Sequence, residues 1–214
     1  MTRITVFGGG GFAGSHITES ATVRGHDVTV VTRSEVPAQI AQASYRLGDL
    51  TVPEDRARAI AESDVIVLAT APRGDMVERF QPAIAALAEE LRGTGVRLGV
   101  VGGAGSLQQT PGGPLVQEDP NFPAEFLPDA SALLATIRDL EASPEDLDWF
   151  VLAPAGDFGG HTPGSHRGEY RVGGRVLLTD EQGVSYISGA DYGEAFLDEI
   201  ETPAHRRELF TVAY

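Results

Sequence analysis

The sequence predicts an α/β fold, a doubly wound parallel sheet with helices on both faces and a small cap formed by the C-terminal part. Three observations point there. Residues 2–33 read as strand, glycine-rich loop, helix and strand. Strand-like and helical segments then keep alternating through residue 107, giving five strands. Hydrophobic content of 42% and charged content of 22% are those of a globular chain.

The elements follow in order. "TRITVF" (2–7) is a short strand, and "FAGSHITESATVR" (12–24) is a helix with Gly25 as its stop signal. "HDVTVVTR" (26–33) is apolar and β-branched, which suits a buried strand. A helical crossover between strands this short implies parallel pairing and right-handed winding. "SYRLGDL" (44–50) is the third strand, and "PEDRARAIAES" (53–63) is a helix opened by proline and acids that suit its dipole. "DVIVLAT" (64–70) is a strand, 76–95 a long helix ending in glycine, and "VRLGVVGGAGSL" (96–107) the fifth strand with its loop. Residues 108–128 are rich in proline and glycine and read as loop. "DASALLATIRDLEAS" (129–143) is a helix with Asp129 as its expected N-cap. "LDWFVLAPA" (147–155) is a sixth strand, 156–168 a glycine- and histidine-rich loop, and 169–178 an expected hairpin with a Gly-Gly turn. A helix over 190–201 and a strand over 208–214 finish the chain. No internal repeat or linker divides it, so residues 1–214 are expected to form one domain, with 156–188 as a substrate-facing cap.

Composition excludes several functions. The chain has no cysteine, so disulfides, thiolate metal sites and thiol nucleophiles are absent. Its net charge of −15 and lack of any basic cluster longer than "HRR" argue against nucleic-acid binding. No run approaches the ~20 apolar residues of a membrane span, and nothing before Arg3 resembles a signal peptide. The expectation is a cytoplasmic protein with a small-molecule partner, as a monomer or homodimer. All 16 basic residues are arginine, and the chain contains no lysine.

The stretch "FGGGGFAGSH" places Gly8, Gly11 and Gly14 between a strand and a helix, which is the context of a pyrophosphate cradle. One glycine permits a tight turn, another lets backbone approach the phosphates, and a third lets the helix pack on the strand. The helix N-terminus then aims free N–H groups at the anion. At the end of the second strand, where an acid would accept from the adenosine ribose, this chain has Arg33 followed by Ser34. A guanidinium there can pair with a 2′-phosphate, so NADP(H) is favoured over NAD(H). The alternative is a surface arginine with Glu35 on the ribose.

These residues, with "GDL" (48–50), "DVIVLATAP", "VVGGAGSL" and the later "LDWFVLAPAGDF", "SYISGADYGEAFLDEIE" and "HRRELFTVAY", resemble the atypical short-chain dehydrogenases of the NAD(P)H-binding group. That group includes NmrA-like proteins and the biliverdin-IX-beta and flavin reductases, and its fold is the Rossmann fold. The resemblance implies that Gly8, Gly11, Phe12 and Ala13 line the pyrophosphate and that Arg33 meets the 2′-phosphate. It places Asp49 and Leu50 beside the adenine. Ala69, Thr70 and Ala71 would contact the ribose and the nicotinamide side. Gly102 would line the site after the fifth strand, and Pro154 and Ala155, after the sixth, would lie near the nicotinamide.

The departure from the wider superfamily is chemical. Standard short-chain dehydrogenases carry Tyr-x-x-x-Lys on the helix after the fifth strand, where lysine lowers the tyrosine pKa. Here that helix has neither residue. What remains is hydride transfer to an acceptor that takes its proton from water, such as a flavin, quinone or linear tetrapyrrole. Ser106 stands in the old catalytic serine position. It can orient an acceptor or relay a proton, or simply hydrogen-bond its own loop. Phe158 and His161 can touch a planar acceptor if their loop folds over the nicotinamide. Tyr170 and Tyr192 can donate protons, although packing is the commoner role. His161, His166, Asp157 and Glu169 have the chemistry of metal ligands but no rigid framework, so no metal is expected. The second functional reading is an NADP(H)-binding sensor, NmrA-like, without turnover.

Overall fold

The computed structural model describes residues 1–214. Eight strands form one sheet in the order β3-β2-β1-β4-β5-β6-β8-β7. The strands are β1 (Arg3–Phe7), β2 (Asp27–Thr32), β3 (Ala43–Leu47), β4 (Val65–Leu68), β5 (Arg97–Val101), β6 (Trp149–Ala153), β7 (Arg171–Gly173) and β8 (Glu208–Ala213). All pairs are parallel except β7 with β8. The helices are α1 (Phe12–Val23), α2 (Pro53–Glu62), α3 (Val77–Leu91), α4 (Leu127–Ala142) and α5 (Gly189–Glu201). The order reverses at β1, which has β2 on one side and β4 on the other, so the winding is double as expected.

The strands are apolar because helices cover both faces of the sheet. Alternate residues serve opposite layers. Val6, Val30 and Val67 pack with Ile17, Ala21 and Phe196 beneath α1 and α5. Phe7, Val31 and Leu68 pack with Phe80, Leu87 and Leu140 beneath α3 and α4. Burial of such side chains contributes about 1.5–3 kcal/mol each.

Three expectations are corrected. Asp129 is not the N-cap of α4: the helix starts earlier, at Leu127, with Pro128 in its first turn and Asp129 as that turn's acid. Proline's fixed φ suits that place, and its missing N–H is no loss there. Residues 169–178 do not form a hairpin. Arg171–Gly173 pairs instead with Thr211–Ala213 of β8 and closes the sheet edge, because a long apolar strand offers a better ladder than a self-paired turn. Residues 108–128 are not irregular throughout, since single 3-10 turns form at Val116–Glu118 and Ala124–Phe126. No helix is long and apolar enough to cross a membrane.

Candidate nucleotide-binding site

The carboxyl ends of β1 and β4 meet at the switch point, where open α/β sheets bind ligands. Gly8 follows β1 with φ +82°, a value side chains rarely adopt, and a Cβ there would lie 2.7 Å from the Ala69 carbonyl oxygen. The loops after β1 and β4 therefore touch backbone to backbone. Gly14 is buried in α1, where a Cβ would fall 2.8 Å from Gly9 Cα. These two glycines let the loop fold tightly against both neighbours.

Helix α1 begins at Phe12 with Gly11 as N-cap, and no side chain caps it. Its first backbone bond runs from Ser15 N–H to the Gly11 carbonyl. The N–H groups of Phe12, Ala13 and Gly14 thus point out of the helix end. The first turn carries no acid to repel an anion. An exposed Gly11 leaves the approach open. This cradle fits a pyrophosphate.

The remaining expected residues gather along the same edge. Arg33 follows β2, and its Nη1 donates to Asp75 Oδ2 at 2.8 Å. Ser34 is exposed beside it. After β3, Asp49 accepts from Thr51 N–H at 2.8 Å, and Leu50 is buried with its carbonyl accepting from Arg56. Ala69, Thr70 and Ala71 follow β4, Gly102 follows β5, and Pro154 and Ala155 follow β6. Ser106 closes a 3-10 turn, Ala104–Ser106, after β5. It is 5% exposed and its Oγ has no hydrogen-bond partner.

The loop after β6 packs beside the start of α1. Phe158 turns inward, with its ring 5.2 Å from Phe12 and 4.6 Å from Tyr192. His161 is exposed and lies 3.0 Å from Asp157. A cleft of about 440 Å³ opens along 108–128, between Gln109, Val116, Phe122 and Leu177.

Tyr170 and Tyr192 are engaged. Tyr192 is fully buried and its hydroxyl donates to the Leu152 carbonyl at 2.7 Å; burial pushes its pKa well up. Tyr170 donates to Asp198, and burial foremost raises it as well. Neither is placed to deliver a proton near neutrality.

Of the four metal-type residues, His161 pairs with Asp157, while His166 turns away and lies 3.0 Å from Glu194 and 3.5 Å from Asp191. Asp191 is fully buried and saturated. Gly168 N–H donates to one oxygen, and Arg167 N–H, Ser188 Oγ and Tyr214 OH donate to the other. Burial alone would raise its carboxyl, but these donors hold it below the usual range. The arrangement anchors the 156–168 loop onto α5. Only part of this hub is legible in the sequence, where Ser188-x-x-Asp191 before an apolar run is the pattern of a helix start. Ser188 is the N-cap and accepts from Asp191 N–H.

The profile of the family described as NAD(P)H-binding matches residues 8–203. An uncharacterised protein of Bacillus subtilis (strain 168), YwnB, is 34% identical over 98% of this chain and 97% of its own length. A candidate NADH-flavin reductase from Streptococcus pneumoniae TIGR4 superposes with a TM-score of 0.88 at 32% identity, covering 100% of this chain and 99% of that one. A protein from Burkholderia pseudomallei, described as a candidate exported protein, gives 0.86 at 35% identity with both chains fully covered. A wide-type short-chain dehydrogenase/reductase from Veillonella parvula, in complex with NADP, shares the fold at 14% identity and a TM-score of 0.74, covering 100% of this chain and 95% of that one.

Proposed function

The chain belongs to the NAD(P)H-binding family, and from that premise we propose that it is an NADPH-dependent reductase of a small planar acceptor, such as a flavin or a quinone. NADPH would supply a hydride, and an acceptor of this class completes its reduction with a proton from water. The protein's part is to bind, orient and exclude water. Gly8, Gly11 and the first-turn N–H groups of Phe12 and Ala13 hold the pyrophosphate. Arg33 and Ser34 take the 2′-phosphate, and Asp49 and Leu50 flank the adenine. Ala69, Thr70, Ala71, Gly102, Pro154 and Ala155 line the remainder towards the nicotinamide. Residues 156–188 supply the acceptor's cover, with Phe158 and His161 as the side chains that would touch it.

The observation that carries this reading is Ser106. A buried hydroxyl without a partner costs about 1–3 kcal/mol, so its retention calls for a reason. Its loop role is met without it, because Ser106 N–H already bonds the Gly103 carbonyl at 3.0 Å. An unpartnered Oγ in the turn after β5 is covered in this structure, so it would meet an acceptor's polar edge or pass a proton from water only where its neighbours make way. No lysine competes for that task, and the hydroxyls of Tyr170 and Tyr192 are engaged elsewhere.

The test is NADPH consumption with flavin mononucleotide and a quinone panel. Turnover with one of them is the expected result. Tight NADPH binding with no turnover throughout would sink the reductase reading in favour of the sensor. Arg33→Asp checks the cofactor preference. It is expected to weaken NADPH by about tenfold or more, the worth of one charge-assisted pair at a half-exposed site, and NADH far less. Equal losses of both in a fluorescence titration would refute the assignment.

A further inference from the structure

We propose that Asp75 and Arg79 complete a charge clamp at the adenosine 2′-phosphate, with Asp75 as the internal anion that the phosphate displaces. The inference rests on the NADPH reading and names two residues that the reading does not use. Asp75 sits where two guanidiniums converge: Arg33 Nη1 lies 2.8 Å from its Oδ2 and Arg79 Nη1 lies 3.5 Å from the same oxygen. Arg79 also donates to Thr51 Oγ1 and lies 4.0 Å from Asp49 Oδ2. The loops after β2 and β3 and the start of α3 are thereby joined by charge at one place, the adenosine end of the crevice.

Each partner is accessible. Side-chain exposures are 49% for Arg33, 61% for Asp75 and 50% for Arg79. A single pair this exposed contributes little, so it cannot hold the loops closed. Two cations around one carboxylate nevertheless define a place that prefers an anion. The bond from Arg33 keeps the Asp75 carboxyl below its usual range, so it is that anion at neutral pH.

A 2′-phosphate is the better occupant. It carries about −1.5 to −2 charges against −1 for the carboxylate, and three oxygens can take both guanidinium forks. Asp75 is also able to leave. It lies in the 3-10 turn Gly74–Met76, directly after Gly74 at φ +59° and before the buried Met76 that anchors the turn. The ribose hydroxyl of NADH has no charge to trade for the carboxylate, so NADH leaves the Arg33–Asp75 pair in place. Asp75 thus narrows the preference for NADPH: it lowers NADPH affinity by competition and leaves NADH unaffected.

The experiment titrates the full chain with NADPH and with NADH, following nicotinamide fluorescence, for the natural protein, Asp75→Asn, Arg79→Met and Arg33→Asp. Asp75→Asn is expected to tighten NADPH by about threefold or more, and Arg79→Met to weaken it by a similar factor, each changing NADH by less than about twofold. Both effects should shrink as salt rises. If Asp75→Asn or Arg79→Met alters neither cofactor, or both equally, these are surface ion pairs only and the clamp is overturned. Should Arg33→Asp be selective while the other two are silent, the clamp fails and the NADPH reading stands. Equal losses in Arg33→Asp would remove both.

Discussion

Gly14→Val is expected to abolish dinucleotide binding. The added Cβ would fall 2.8 Å from Gly9 Cα and 2.9 Å from the Gly8 carbonyl carbon, both of them backbone. Neither atom can step aside. Gly8 N–H is bonded to the Val31 carbonyl at 3.1 Å, and on its other side Gly8 abuts Ala69. The helix must therefore move off the loop, and the first-turn N–H groups of Phe12 and Ala13 lose their aim. Overpacking of this kind costs about 1–3 kcal/mol of stability. For a chain of this size that is about 2–4 °C in Tm per kcal/mol. The loss in NAD(P)H affinity should exceed about 100-fold, because several charge-assisted bonds go together. Calorimetry and fluorescence titration on the same preparation separate the two effects. A variant that binds like the natural protein would remove the cradle from the site proposed for it.

Glu199→Ala should produce the largest loss of stability. Arg97, on β5, and Glu199, on α5, are 7% and 3% exposed in their side chains and meet at 2.6 Å. Arg97 Nη1 also donates to the Glu199 carbonyl at 2.6 Å, and its guanidinium lies 4.5 Å from the centre of the Phe150 ring. The second carboxylate oxygen lies 2.8 Å from His205 Nδ1. Removing the carboxylate leaves a buried guanidinium with only the partly exposed Asp148, 3.4 Å from its Nε, as counter-ion, which costs about 3 kcal/mol, the lower end for a broken buried pair. A thermal melt at pH 7 should show Tm lower by about 10 °C. A change under about 2 °C would show that water reaches Arg97 freely.

The same group sets an acid limit. Burial alone would raise the Glu199 carboxyl, but the bonds from Arg97 and His205 bring it below its ordinary value of 4.5. A carboxyl lower in the folded chain than in the unfolded one stabilises fully above its ordinary pKa. That contribution disappears as pH falls through the depressed folded value. Asp191 is lowered as well and adds to the loss over the same range. Tm should thus be nearly level between pH 7 and 5 and drop steeply below about pH 4.5. Glu199→Gln should start lower and fall less steeply, and an unchanged slope would remove Glu199 from the account.

Much of the fold was legible because its signals are local. Strand periodicity, the Gly25 stop and Pro53 at a helix start act within a few residues. Errors came where local signals competed with distant ones. Gly173-Gly174 read as a hairpin turn, but its strand is taken by β8, about forty residues further on. Asp129 read as an N-cap because it is a good one, yet Phe126 and Pro128 extended the helix past it.

For the site, the sequence by itself singled out the glycine loop proposed as the dinucleotide cradle and excluded a Tyr–Lys dyad, since a glycine spacing in a strand–helix turn and an absent residue type need no third dimension. Only the tertiary structure decided which polar groups are free. It buried Tyr192 against Leu152, left the Ser106 hydroxyl without a partner, and turned Phe158 inward onto Phe12. It also brought Arg33 to Asp75 across 42 residues of chain. The physical reason is that hydrogen-bond and charge partners are set by the order of strands in the sheet, which places loops distant in sequence at one edge, and no local pattern records that adjacency.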